Sequence, residues 1–306
     1  MRERLELAAF QAVRWLVLAL PLKSAQRLGM FIGRVAYTLI SSRRTVALNN
    51  LRHAFPEKSR RELETIAKGA FQNYGIALME LLWFPHLTES SIRSLLHPQN
   101  LDLIERRFSE GKGMVMLSGH FGSWELIALG MAHLCGHPFT VIVQTQSNVR
   151  IDAIINRHRC LFGNRVVPMN LSVRESLKTL HEGGIVAIAP DQSGPMEGVF
   201  VNFFGRRVAS HQGPAALALR SGSAMMMGFM VRQPDLTYDV IVEQVNTDNL
   251  HGSQAENVEE LTQRHTALLE SYIRKYPDHW LWMHRRWKHT WEEVQLEKQG
   301  ARHVSA

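Results

Sequence analysis

A histidine and a glutamate five residues apart, His120 and Glu125, stand in the segment Ser118-Gly119-His120-Phe121-Gly122-Ser123-Trp124-Glu125. The segment directly follows a short apolar run, GMVML at 113–117. On a regular helix five residues turn through about 500°, so the two side chains would not share a face. If His120 sits on a strand-to-helix turn and Glu125 in the first helical turn, that objection goes. The glutamate can then accept a hydrogen bond from one imidazole nitrogen and set the tautomer, leaving the other nitrogen to take a proton from a hydroxyl. Gly119 and Gly122 would let the backbone approach a substrate and offer amides to an oxyanion. A helix-capping histidine beside a surface carboxylate is the plainer reading, and the spacing alone admits both.

Rival chemistries lack their parts. The sequence holds no G-x-S-x-G nucleophile turn, no G-x-x-x-x-G-K-[ST] phosphate loop, no H-E-x-x-H zinc helix and no Asp-x-Asp pair. Without a covalent nucleophile, the expected reaction is direct: an acceptor hydroxyl attacks an acyl carbonyl, with no metal and no cofactor. A second loop, Pro190-Asp191-Gln192-Ser193-Gly194-Pro195, leads into GVFVNFFGRR ending at Arg206 and Arg207. Phe200, Phe203 and Phe204 beside the paired arginines would form an apolar wall next to an anion clamp, suited to an acyl chain near a phosphate. A solvated basic hairpin turn reads equally well. Arg157 and Arg159 are ambiguous on their own.

These loops need elements to position them. Short apolar runs at 113–117, 139–144, 185–189, 224–231 and 238–244 alternate with helical patterns near 124–134, 148–161, 172–181 and 212–221. That alternation predicts an α/β fold, a mostly parallel central sheet with helices on both faces. Residues 59–84 read as an amphipathic helix opened by a Ser59/Glu62 capping box, and 257–276 as another, started by Asn257 and Glu260 and stopped by Pro277. The first hundred residues are expected to form a helical cap on the α/β core. In such folds ligands collect where strands end and helices begin, which is where both loops stand.

The chain has 306 residues, 45% hydrophobic and 21% charged, enough for one full-sized core. Cys135 and Cys160 are its only cysteines and have no metal-ligand spacing. A net charge of +7 predicts attraction to an anionic partner such as lipid, an acidic carrier or nucleic acid. The apolar segments 8–22 and 28–42 are each short for a membrane span and carry a central arginine, Arg14 or Arg34. Such an arginine costs about 3 kcal/mol at mid-membrane. The segments predict a helical, membrane-associating pair at the interface, with Trp15, Lys23, Arg27, Arg43 and Arg44 at headgroup level; two buried core helices are the alternative. Gly29 and Gly33 have GxxxG spacing.

With these residues in view, the chain resembles the lipid A biosynthesis acyltransferases, the late lauroyl and myristoyl transferases of the lysophospholipid acyltransferase superfamily. The resemblance runs from the early apolar segment to about Lys288. It is carried by RRTVALNNLRHAFPE at 43–57, the His120-x4-Glu125 box, NRHR at 156–159, APDQSGPMEGVFVNFFGRR at 189–207 and YPDHWLWMHRRWK at 276–288. It implies His120 as general base and Glu125 as its orienting partner. Arg159 and Arg157 match the family's substrate-site arginine, and Asp191 and Gln192 its strand-end acidic loop. The Trp280, Trp282, Trp287 and Trp291 end reads as a fold signature rather than a site.

The resemblance further implies an acyl carrier protein or acyl-CoA thioester as donor, a lipid A precursor hydroxyl as acceptor, and action on the anionic cytoplasmic face of a bacterial inner membrane. No nucleic acid is expected as a partner. The organisation expected is a membrane-associating segment at 1–45, one acyltransferase domain at 46–292 (cap 46–105, core 106–292) and a polar tail at 293–306. Two departures stand out. The N-terminal segment is weaker than the family's membrane helix, and the family also acylates mannosylated inositol lipids, aminolipids and lysophospholipids. A reading from another class is a non-catalytic basic protein that binds membrane or nucleic acid. It would show steep salt dependence and no need of His120.

Overall fold

The computed structural model describes residues 2–296; residues 297–306 of the expected polar tail lie outside the described residues. The chain opens with helices α1 (Arg2–Leu18), α2 (Leu22–Leu39), α3 (Ser41–Ala54) and α4 (Arg60–Trp83). The first two start earlier than the apolar segments 8–22 and 28–42 suggested. Pro21 separates them because a proline cannot donate the helical hydrogen bond and is tolerated only near a helix start. The Ser59/Glu62 capping box opens α4, with Ser59 N–H donating to the Glu62 carboxylate at 2.8 Å. Its stripe Leu63, Ala67, Ala70 and Phe71 is buried. Gly29 and Gly33 let α2 lie directly on α4: a Cβ on Gly33 would stand 2.2 Å from the Phe71 carbonyl oxygen. The GxxxG spacing therefore serves a helix–helix contact within the chain.

After α5 (Glu89–Leu95) come β1 (Leu96–Gln99) and α6 (Leu101–Phe108), then β2 (Met114–Leu117), α7 (Trp124–Cys135), β3 (Phe139–Val143), α8 (Val149–Arg159) and β4 (Arg165–Pro168). The chain continues through α9 (Ser172–His181), β5 (Ile185–Ile188), β6 (Val199–Phe203), β7 (Arg206–Ser210), α10 (Gly213–Ser221), β8 (Ala224–Arg232), β9 (Tyr238–Gln244) and α11 (Gln254–Lys275). Seven strands form one sheet in the order β1-β9-β8-β2-β5-β3-β4, and β6 and β7 pair separately as a hairpin. Every pairing in the large sheet is parallel except β8 with β9, which only a tight turn at 233–237 connects.

The first hundred residues are thus not wholly helical, since β1 joins the sheet at its edge. Pro98 is tolerated there because an edge strand has amide positions that need no partner. Helix α11 begins before the expected Asn257, with Ser253 and Glu256 forming its capping box. Alternating residues of β2 and β5 feed two cores on opposite faces. Met114, Met116, Ile185 and Ala187 pack with Leu126, Ile127 and Leu129 of α7. Val115, Leu117 and Val186 pack with Leu217 of α10 and Leu261, Leu269 and Ile273 of α11. Among the described residues, no helix is long and apolar enough to cross a membrane.

Candidate active site

Strands β2 and β5 lie side by side in parallel register, Leu117 opposite Ile188. Three residues beyond each strand end stand His120 and Asp191, so the register alone sets these two opposite each other. His120 precedes the helix, as its spacing to Glu125 required, and α7 starts only at Trp124. Gly122 makes the tight turn between them. Its φ is +59°, and a Cβ would meet the Met230 carbonyl oxygen at 2.0 Å, so a side chain cannot be placed there.

The partner of His120 is Asp191, not Glu125. Nδ1 of His120 lies 2.7 Å from Asp191 Oδ1, and the other carboxylate oxygen accepts from the His120 backbone N–H at 2.8 Å and from Trp280 Nε1 at 2.8 Å. Glu125 turns instead toward the end of α8, where Arg159 grips it in a bidentate pair, Nε–Oε2 2.8 Å and Nη2–Oε1 2.5 Å. The reason is geometric. A side chain in the first turn of α7 projects sideways toward α8, whereas the neighbouring strand end lies directly behind the imidazole. The fork of a guanidinium matches both oxygens of a carboxylate, which makes the alternative pairing strong.

Charge explains how this site is poised. Burial raises the Asp191 carboxyl, but the His120 charge, the His120 side-chain and backbone hydrogen bonds and the Trp280 indole outweigh it and hold the group down at about 2. Burial depresses the His120 imidazole, yet the Asp191 charge and hydrogen bond, then the Glu125 charge, raise it above 6.5 against the opposition of Arg159. With Asp191 ionised, the neutral form of the imidazole carries its proton on Nδ1 and donates it to the carboxylate, which leaves Nε2 its lone pair. The Gln192 amide Nε2 stands 3.3 Å from that nitrogen. The imidazole also packs 5.2 Å from the Trp124 ring, which stacks on Tyr74 of α4 at 5.8 Å.

Other expected residues fall elsewhere. Phe203 and Phe204 do not wall an open channel; both are buried in an aromatic core with Trp280, Trp282 and Trp287. Arg206 and Arg207 follow the Phe204-Gly205 turn of the hairpin, and Arg207 pairs with Glu259 at 3.0 Å and stacks over Trp291. They make a basic hairpin turn, not an anion clamp at the histidine. Arg157 is exposed on α8. Asp191 is buried behind the histidine rather than facing a substrate. Of the two glycine amides expected to face an oxyanion, that of Gly122 donates instead to the His279 carbonyl at 2.8 Å, and the His120 amide between them is held by Asp191.

Two neighbours of the site, Trp280 and Arg286, were not assigned to it from the sequence. Trp280, read as fold signature, holds the Asp191 carboxylate directly. Arg286 is buried beneath it, donating to the Ala209 carbonyl at 2.8 Å and Ser210 Oγ at 2.6 Å; burial lowers the guanidinium to about 10, against the sustaining charge of Asp191. Ser118, Asp191, His265 and Arg286 border a cavity of about 10 Å³, room for one water. The HWLWMHRRW run at 279–287 was the signal, since its indoles and guanidinium return to the end of β5.

A histidine base held by a strand-end carboxylate next to a carboxylate–guanidinium pair is an arrangement suited to activating a hydroxyl. The bacterial lipid A biosynthesis acyltransferase family matches residues 5–289. The lipid A biosynthesis palmitoleoyltransferase of Escherichia coli K12 is 29% identical over 281 residues, covering 90% of this chain and 89% of that one. The lauroyltransferase of the same organism is 27% identical over 283 residues, with the same coverage. A phosphatidylinositol mannoside acyltransferase of Mycolicibacterium smegmatis is 22% identical over 190 residues, 57% of this chain and 62% of that one. The chain is an acyltransferase and belongs to the bacterial lipid A biosynthesis acyltransferase family.

Proposed function

We propose that the enzyme transfers a fatty acyl chain from a carrier thioester to a hydroxyl of a lipid A precursor at the cytoplasmic face of the inner membrane, with His120 as general base. The observation that carries this reading is the 2.7 Å contact between His120 Nδ1 and Asp191, which keeps the Nε2 lone pair available on a side chain still 20% exposed. The acceptor hydroxyl displaces the Gln192 amide from Nε2 and gives up its proton there as its oxygen attacks the thioester carbonyl. Asp191 stabilises the imidazolium. Collapse of the tetrahedral intermediate breaks the carbon–sulfur bond, and the leaving thiolate takes the proton back from Nε2. The Arg159–Glu125 pair beside the imidazole would help to orient the reactants.

The N-terminal helices fit a membrane surface. Leu5, Trp15 and Leu16 of α1 and Phe31, Val35 and Leu39 of α2 are exposed, among exposed Arg4, Lys23, Arg27 and Arg34. A mannolipid acceptor is the second reading, favoured by the relatives named phosphatidylinositol mannoside acyltransferases. The test is transfer by the purified protein from an acyl carrier thioester or acyl-CoA to lipid A precursor or mannolipid, read by mass spectrometry. His120→Ala should slow transfer at least about 10²-fold while leaving the fold intact. Undiminished transfer by that variant would falsify the mechanism.

A further inference from the structure

The turn that carries His120 is tied to the helical cap by one buried carboxylate outside the reaction centre. Glu80, on α4, is 2% exposed. Its Oε2 accepts from Ser123 Oγ at 2.7 Å, its Oε1 from Gln26 Nε2 of α2 at 2.7 Å, and the Tyr238 hydroxyl of β9 reaches both oxygens at 2.6 and 2.8 Å. Arg232 of β8 stands 3.8 Å from Oε2 and donates to the Tyr238 oxygen at 2.9 Å. A buried carboxylate is costly to desolvate unless its acceptor sites are filled, and here Gln26, Ser123 and the shared Tyr238 hydroxyl supply three donors to its two oxygens. An apolar residue would fill the space without that demand, so the polar arrangement calls for a reason.

Ser123 points to the reason. It occupies the N-cap of α7, where a serine ordinarily accepts from the helix's own first amides, yet its side chain makes no capping bond. The hydroxyl is directed to Glu80 instead. The first helical turn, which bears Trp124 and Glu125, is therefore fixed to α4 rather than to itself. The same helix supplies Tyr74, stacked on Trp124, whose other neighbour is the His120 ring. On the far side Arg232 is held by Asn73 of α4, and its backbone N–H donates to His279 Nε2 at 3.0 Å, while the His279 carbonyl holds Gly122. The His120-to-Glu125 turn is thus gripped at Gly122, Ser123 and Trp124 by groups that converge on Glu80 and its helix.

We propose that Glu80 and Ser123 form a positioning pair for acyl transfer: through their hydrogen bond, α4 sets where His120 and Glu125 stand relative to each other. The inference rests on the general-base reading above. Misplacing a reacting group by about 1 Å can cost about 10²-fold in rate, so the bond acts on kcat rather than on substrate affinity.

The experiment uses Ser123→Ala, Glu80→Gln and the double variant in the full chain, assayed well below each melting temperature. Ser123→Ala should lower kcat about 10-fold or more with KM little changed. Once Ser123 Oγ is gone, Glu80→Gln should cost no further kcat, because residue 80 acts on the turn through its bond to that hydroxyl. Wild-type kcat in Ser123→Ala, or losses that multiply, overturn the proposal. Should Glu80→Gln fail to fold, Ser123→Ala decides alone. Proton NMR of the His120 Nδ1–H gives a reading that needs no turnover: the resonance should move in Ser123→Ala. An unmoved resonance overturns positioning even if the unaltered chain transfers no acyl group, an outcome that would defeat the acyl-transfer reading separately.

Discussion

His120 and Asp191 are separated by 71 residues and joined by a 2.7 Å hydrogen bond, and that separation equals the register offset of the strands that end beneath them, Leu117 opposite Ile188. The His120–Asp191 contact is therefore a consequence of sheet order: once β2 and β5 are parallel neighbours, their equivalent loop positions meet. Asp191 also makes a definite prediction. Its Oδ2 receives two N–H donors and its Oδ1 one. In Asp191→Asn the amide oxygen would take the two-donor site and turn its NH₂ toward Nδ1. The imidazole would then have to shift its proton to Nε2, where it could no longer act as a base. Turnover should fall about 10²–10⁴-fold while the variant still folds. A variant that keeps more than a tenth of wild-type kcat would show that Asp191 does not set the tautomer.

The pH profile follows from the same pair. Asp191 and then Glu125 raise the His120 imidazole above 6.5, and an imidazole can serve as the proposed base only when neutral. The rising limb of kcat/KM should accordingly lie above pH 6.5. The corresponding stability contribution of His120 is present below that value and lost as pH rises through the raised one, so activity gains where this contribution fades. Removing the charge of Glu125 in Glu125→Gln should move the limb to lower pH. A limb that stays put, or moves upward, would mean that Glu125 does not act on the imidazole.

Much of this architecture is legible in the sequence, and the reasons it stops are physical. The runs at 113–117, 139–144, 185–189 and 224–231 became β2, β3, β5 and β8, strands inside the sheet whose burial keeps them largely apolar, and 238–244 became β9, where buried and half-buried residues alternate. Strands β1 and β4 carry Pro98 and Arg165 at the sheet's two edges, where half the strand needs no apolar cover, so they leave little pattern. His120 was readable from its glycine frame, and Glu125 from its spacing. That the imidazole would turn to Asp191 depends on which strands are neighbours, which no local period records. Phe203 and Phe204 misled for a related reason: an aromatic pair beside arginines looks the same whether a ligand or Trp280 and Trp287 cover it.

The Arg159–Glu125 pair should behave as a buried ion pair in denaturation. Both side chains are mostly buried, at 12% and 14% exposed. Arg159→Met leaves a buried carboxylate without its guanidinium and should destabilise by roughly 3 kcal/mol. Adding Glu125→Gln should recover part of that loss, because the stranded charge is gone. Urea unfolding of the two single variants and the double variant measures the coupling. Additive losses would argue that the two groups do not depend on each other.

The exposed faces of α1 and α2 give the last prediction. Trp15 and Phe31 are 66% and 64% exposed, so replacing them does not disturb the core. Burying a large apolar side chain is worth about 1.5–3 kcal/mol, and a lipid interface would collect part of that from each. Trp15→Ser with Phe31→Ser should therefore weaken binding to vesicles containing anionic lipid by about 10-fold or more, with an unchanged melting temperature. The cations on the same helices add an electrostatic part that salt screens, so wild-type binding should also fall between low and physiological ionic strength. Sedimentation with vesicles of fixed anionic content reads both effects. If the double variant pelleted as well as the wild type, the N-terminal helices would not be the membrane contact, and the basic remainder of the chain would have to supply it.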